Sequence, residues 1–223
     1  MNNNTEKFYG VQPVLGLLAM WLTQDILMRI FFSEKIIHGQ EFLNSSEGSI
    51  ILAPTHRSRW DGIVLTFATG RRVTNKDCRF MVTRPEMQGI QGWFLRRLGC
   101  FSINQKSPTL FSLRYAIDLI RTKKQLVIFP EGKINKYGKR VPLKQGLFRL
   151  AKQALKKGTP VNIVPIGIAY DNVNPRLGSK FALYIEKPLN LLDLSQISIN
   201  DFNNILSEKI HNAELKALSL VGR

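Results

Sequence analysis

Ser49-Ile50-Ile51-Leu52-Ala53-Pro54-Thr55-His56-Arg57-Ser58-Arg59-Trp60-Asp61 is the stretch on which the fold turns. Ser49 to Ala53 is a short apolar run ended by Pro54, which reads as a buried strand. Arg59 to Ala68 reads as a helix, with Ser58 as a candidate N-cap and Gly70 just past its end. A histidine and an aspartate five residues apart therefore straddle the join. On one continuous helix five residues turn about 500°, leaving the two side chains about 140° apart. If His56 lies in the loop and Asp61 in the first helical turn, they can meet. Asp61 would then accept from the imidazole Nδ1 and leave Nε2 free as a general base. Taken alone, the spacing also suits a loop histidine that caps a helix.

Outward from this junction the elements alternate. Arg79 to Thr83 reads as a strand closed by Arg84-Pro85. Ser107-Pro108 opens a helix running to about Thr122, proline being favoured at the first helical position. Gln125 to Phe129 is a strand stopped by Pro130, and Gln145 to Lys157 a helix ended by Gly158. Val161 to Tyr170 and Phe181 to Ile185 are strands. Asp201 to Leu218 is a last amphipathic helix, with Phe202, Ile205, Ile210, Leu215 and Leu218 as its apolar side. The pattern predicts an α/β fold: one domain with a mixed, largely parallel sheet flanked by helices. Pro54, Arg84 and Pro130 mark strand C-termini, beyond which such sheets bind ligands.

A chain of 223 residues, 44% of them hydrophobic, fits one domain with a real core. Its 32 Lys+Arg face 16 Asp+Glu, and the excess sits between Arg71 and Lys157, where 21 basic residues meet 4 acidic ones. Such a field predicts an anionic partner. Near an anionic membrane each close Lys or Arg is worth about 1 kcal/mol. No helix-turn-helix, zinc-finger or aromatic RNA-binding pattern is present, so nucleic acid is not expected. Two cysteines, Cys78 and Cys100, make no disulfide framework and suit a reducing compartment. His38, His56 and His211 are too few for a His-rich metal site.

Phe8 to Gln24 carries no charge, and Val11 to Leu22 is nearly all apolar; Asp25 and Arg29 then interrupt it before Ile30, Phe31 and Phe32. MNNNTEK offers no positive region beyond Lys7, and no small-x-small cleavage site follows, so a signal peptide is not expected. The segment reads as a helix or broken helical hairpin lying in one leaflet, with a buried core helix and a true span as alternatives. Residues 1–35 are thus a hydrophobic membrane-associating segment and 36–223 the enzymatic domain. The expected location is the cytoplasmic face of a membrane, peripheral or monotopic.

Phe129-Pro130-Glu131-Gly132-Lys133 is the second informative segment. A strand ends, a carboxylate follows, and a glycine lets backbone approach a ligand. Lys133, Lys136, Lys139, Arg140 and Lys144 come next, which suits a phosphate or carboxylate head group. Alone, Glu131 would be a structural turn acid. There is no G-x-S-x-G elbow, and Ser58 is better read as a cap than a nucleophile, so the base would act on a substrate hydroxyl.

Together and in this order the segments resemble the glycerolipid acyltransferase family, the group that contains 1-acylglycerol-3-phosphate acyltransferases. His56 and Asp61 match its H-x-x-x-x-D block. Gly99-Cys100-Phe101-Ser102-Ile103-Asn104-Gln105 resembles the second block, and Phe129 to Gly132 the F-P-E-G of the third. Val164-Pro165-Ile166 resembles the fourth, and Lys144-Gln145-Gly146 a K-x-G element. The resemblance implies acyl transfer from acyl-CoA or acyl-carrier protein to a lipid hydroxyl, most readily that of a lysolipid. His56 would be the base and Asp61 its orienting partner. Glu131 would hold the site or the acceptor, and backbone N–H groups near Gly132 would face the oxyanion. No metal, covalent enzyme intermediate or cofactor beyond the thioester co-substrate is expected. Asn104, Gln105 and Lys144 become candidate substrate-binding residues with Gly132. Two family arginines are replaced, by Gln105 and Ile134. Either Arg84 and Lys133 compensate, or the acceptor is a lysolipid with another head group, such as a lyso-glycolipid; glycerol-3-phosphate, toward which Arg57-Ser58 leans, is a separate alternative. A basic anion-binding module without catalysis is the reading from a different class.

Overall fold

The computed structural model describes residues 10–44, 48–105, 107–193 and 196–223. The MNNNTEK start lies outside them. Helix α1 runs Pro13–Phe31, with its middle, Trp21–Leu27, wound as a π-helix. It passes directly into β1 (Phe32–His38), so residue 35 lies inside a strand. Then follow β2 (Ser49–Pro54), α2 (Asp61–Thr69), β3 (Cys78–Thr83), α3 (Gly89–Arg97) and β4 (Phe101–Ile103). The chain continues through α4 (Leu110–Arg121), β5 (Gln125–Val127), α5 (Gly146–Lys156) and β6 (Val161–Tyr170). It ends with β7 (Ser179–Ile185), β8 (Leu189–Asn190) and α6 (Ile199–Leu220).

The strands form one sheet in the order β1-β7-β6-β2-β5-β3-β4, with β8 beside β6. β6 runs antiparallel to β7 and β8; the other pairings are parallel. Side chains alternate across the sheet as strand geometry requires. Ile51, Ala53, Leu126 and Ile163 face α4, α5 and α6. Ile50, Leu52, Val127 and Val164 face α2 and the α1–β1 junction. This is the expected mixed, largely parallel α/β domain.

Several local expectations change. Among the described residues no helical hairpin forms ahead of β1: Asp25 pairs with Arg72 (2.6 Å) and the helix runs through it. Nor is α1 a core helix: Val14 is 78% exposed, and Leu17, Leu18, Trp21 and Leu22 also face outward. By length and composition α1 could cross a membrane. Helix α2 starts at Asp61 rather than Arg59. Ser58 accepts from the Trp60 N–H (3.3 Å), ahead of the helix, and does not cap α2, while the Asp61 carboxylate folds back onto the Arg57 and Ser58 amides. Thr109, not Pro108, sets the start of α4, accepting from the Ser112 N–H at 3.2 Å. The buried face of α6 is Phe202, Leu206, Ile210, Ala213 and Ala217, while Leu215 is exposed. Small residues win that face because α6 lies on β6 at Gly167. A Cβ there would come within 2.2 Å of the Glu214 nitrogen. Strand β1, helix α3 and strand β4 were not expected from the sequence.

Candidate active site

The loop that carries His56 is pinned where β2 ends. Thr55 N–H donates to the Ile166 carbonyl (2.9 Å) and its hydroxyl accepts from Ile168 N–H (2.8 Å), which ties the loop to the neighbouring strand. His56 Nδ1 lies 2.8 Å from Asp61 Oδ2. The imidazole stacks on Phe129, with centroids 4.1 Å apart. Phe129 follows β5, the other neighbour of β2, so strand order alone brings the two motif segments together.

Asp61 is fully buried and fully employed. Its Oδ2 also accepts the N–H groups of Arg57 (2.5 Å) and Ser58 (2.8 Å), and its Oδ1 accepts from the Tyr170 hydroxyl (2.7 Å). Four donors therefore fix a carboxylate that would otherwise be costly to bury. Burial, and then the Asp61 carboxylate beside it, push the Tyr170 phenol well above its ordinary value. With Nδ1 committed to Asp61, Nε2 is the nitrogen left for chemistry.

Behind the imidazole sits a second buried cluster. Glu131 accepts from the His56 N–H (3.1 Å), from Asn135 Nδ2 (2.8 Å) and from Arg57 Nη1 (2.7 and 3.0 Å). Arg57 turns its Nε and Nη2 to Glu214 of α6, the latter at 2.7 Å. Burial works against the guanidinium's charge, but pairing with Glu214 and Glu131 outweighs it and raises its pKa. Glu131 thus holds the His56 loop.

His56 opens on a cavity of about 720 Å³. Arg59, Lys133, Gln105 and Gly132 share its lining with His56, and Ile63, Phe80, Leu95 and Phe129 make much of it apolar. Val11, Gly16 and Met20 close it from the α1 side. Gln105 Nε2 donates to the Gly132 carbonyl at 2.8 Å. Gly132 has φ +74°, which L side chains rarely adopt. The amides of the two residues after it, Lys133 and Ile134, donate to no acceptor among the described residues. Of the other candidates, Lys144 is exposed and packs over Gly132, while Asn104 caps the Ser107 N–H (3.4 Å) off the lining. Arg84 is exposed and outside the lining. Arg59, not singled out from the sequence, lines the cavity instead and pairs with Glu86 at 3.2 Å. Tyr170 and Glu214 were also missed, since neither lies near His56 in the chain. Among the described residues no three His, Cys, Asp or Glu side chains gather as a metal ion would need.

A family described as Acyltransferase matches residues 35–169, which include His56, Asp61, Glu131 and Gly132. The chain belongs to the acyltransferase family. Within it, the chain is 31% identical over 120 residues to the 1-acyl-sn-glycerol-3-phosphate acyltransferase of Streptococcus pneumoniae, covering 53% of this chain and 42% of that protein. It is 31% identical over 134 residues to a glycerol-3-phosphate acyltransferase of Alteromonas mediterranea, covering 56% of this chain and 16% of that one. The chain therefore spans less than half the length of these relatives. The acyltransferase fold itself is shared with the 1-acyl-sn-glycerophosphate (LPA) acyltransferase PlsC of Thermotoga maritima. That match has a TM-score of 0.65 at 18% identity over 96% of this chain and 80% of the other.

Proposed function

We propose that this acyltransferase moves a fatty acyl group from acyl-CoA or acyl-carrier protein to a glycerolipid hydroxyl, most readily that of 1-acyl-sn-glycerol-3-phosphate. The observation that carries it is the His56–Asp61 pair opening on a largely apolar cavity of about 720 Å³. That volume falls in the range of about 300–1,000 Å³ typical of ligand pockets. His56 Nε2 takes the proton of the acceptor hydroxyl as its oxygen attacks the thioester carbonyl. Asp61 stabilises the imidazolium that forms. The tetrahedral oxyanion collapses, the C–S bond breaks, and the imidazolium returns its proton to the departing thiol. The unengaged amides of Lys133 and Ile134, just past a left-handed glycine, are suited to the oxyanion. Arg59 and Lys133 supply positive charge at the mouth for a phosphate head group. No metal or cofactor enters this scheme.

The relatives' printed names support both phosphate-bearing acceptors, and replacement of two family arginines keeps a lyso-glycolipid as an alternative. A membrane location is supported by α1 and by α3, where Ile90 (89% exposed), Trp93 and Phe94 share one outward face. The Arg97 guanidinium covers the Trp93 ring at 3.9 Å, and the Arg97 carbonyl accepts from the Gln12 N–H (2.8 Å). The start of α1 therefore meets the end of α3, and both helices line the cavity. Location on the cytoplasmic face belongs to the same proposal.

The test is purified protein in lipid micelles with labelled acyl-CoA or acyl-carrier protein and a panel of lysolipids and glycerol-3-phosphate. Acylated product should form with wild type and vanish with His56→Ala at unchanged circular dichroism. Full activity in that variant would remove His56 as the base.

A further inference from the structure

We infer that Glu214, on the C-terminal helix and beyond residues 35–169 that match the family description, is a positioning residue for the catalytic loop. The inference rests on the proposed activity and names a part of its site. Arg57 is clamped between two buried carboxylates. Its Nε and Nη2 go to Glu214, and its Nη1 reaches both oxygens of Glu131. Glu131 in turn takes the His56 N–H at 3.1 Å, and Arg57 Nη1 also reaches the His56 carbonyl at 3.2 Å. The His56 peptide is therefore gripped at both ends by a network that terminates in Glu214.

None of the three charged side chains lines the large cavity, so none is placed to touch substrate. A separate cavity of about 200 Å³ approaches Arg57 and Glu214 from the other side, bordered by Lys136, Tyr137, His211 and Leu218. Depth explains the reach. With no side chain on Gly167, the α6 backbone sits against β6 and delivers Glu214 to the rear of the loop.

Removing Glu214 leaves two buried guanidinium N–H groups without an acceptor, and such donors seek another. Arg57 then swings on its remaining partner, and Glu131 and the His56 peptide move with it. A displacement of about 1 Å at a catalytic group can cost about 10²-fold in rate. The loss should fall on kcat, because the substrate-lining residues stay in place.

The experiment compares wild type, Glu214→Ala and Glu214→Gln in full-length protein, using acyl-CoA and 1-acyl-sn-glycerol-3-phosphate. Kinetics are followed with and without formate, with chloride at equal ionic strength as control. Both variants should lose about 10–100-fold in kcat with KM for either substrate changed less than about 3-fold. Formate, entering by the rear cavity, should restore part of kcat in Glu214→Ala and none in Glu214→Gln, whose side chain fills the place. Wild-type kcat in Glu214→Gln overturns the inference, as does a Glu214→Ala loss that formate leaves untouched. If Glu214→Ala does not fold, the kcat of Glu214→Gln decides alone. An inactive wild type on every acceptor would sink the proposed activity instead, so the two failures are distinct.

Discussion

The Tyr170 hydroxyl donates to Asp61 Oδ1 at 2.7 Å, on the side of the carboxylate away from His56. Asp61 is thereby locked in one rotamer by a residue 109 positions later, and its Oδ2 is presented to the imidazole and two loop amides. An amide in place of the carboxylate could keep these contacts only by donating its NH₂ to the Tyr170 oxygen, which leaves the Tyr170 proton without its acceptor and removes the negative charge beside the imidazole. Asp61→Asn should lower kcat by about 10²–10⁴-fold and destabilise the fold by about 1–3 kcal/mol. Steady-state kinetics and thermal melts check both.

Tyr170 also predicts alkaline behaviour. Its folded pKa lies well above the unfolded value near 10, chiefly because burial disfavours tyrosinate. The native state keeps a proton that the unfolded chain releases, so its contribution to stability is whole below about pH 10 and lost above it. Denaturation midpoints should therefore fall from about pH 10 upward in wild type and fall less in Tyr170→Phe. Equal slopes in both proteins would contradict the assignment.

Gly167 sets the distance between α6 and the sheet. A Cβ there would meet the Ala213 carbonyl carbon and Glu214 nitrogen at 2.2 Å, contacts that backbone cannot relieve by a rotamer change. Gly167→Ala should cost about 1–3 kcal/mol and reduce activity with it, because α6 carries Glu214. A urea midpoint unchanged from wild type would rule this out.

The outward face of α3 gives a membrane prediction. Ile90→Asp with Phe94→Asp should weaken sedimentation with anionic phosphatidylglycerol vesicles while leaving activity on micellar substrate intact. Trp93 should be quenched by brominated lipid tails. An unquenched Trp93, read in a protein lacking Trp21 and Trp60, would place α3 away from the bilayer.

Cavity depth is the last prediction. Thr83 back to Cys78 on β3 lines the cavity over five steps of about 3.3 Å. Cys78→Phe should fill its far end and shift preference toward shorter acyl donors. An unchanged chain-length profile would show that the acyl chain lies elsewhere.

Local chemistry was legible in the chain. The strand–loop–helix junction at Pro54 to Asp61 sets up a histidine–carboxylate pair by a five-residue spacing across one turn, and nothing distant is needed to read it. The alternation of apolar runs likewise specified the mixed α/β class, because burial on both faces leaves its mark along each strand. The face of α6 showed only in part: Phe202 and Ile210 are on it as expected, but Ala213 and Ala217 give a weak hydrophobic signal that yields to the exposed Leu215. Arg84 read like a head-group ligand, yet Arg59 and Arg71 are the arginines that line the cavity with His56.

What the amino-acid order determined by itself was the pair proposed to react, His56 and Asp61, and the sheet that presents them. Only the tertiary structure decided what holds them. Placing β2 between β5 and β6 is a matter of long-range strand pairing, and it alone sets Glu131 and Phe129 on one side of His56 and Tyr170 on the other. Glu214 reaches Arg57 from 157 residues away because a bare glycine lets a helix backbone lie against a strand. Such contacts follow from packing in three dimensions, which no spacing along the chain encodes.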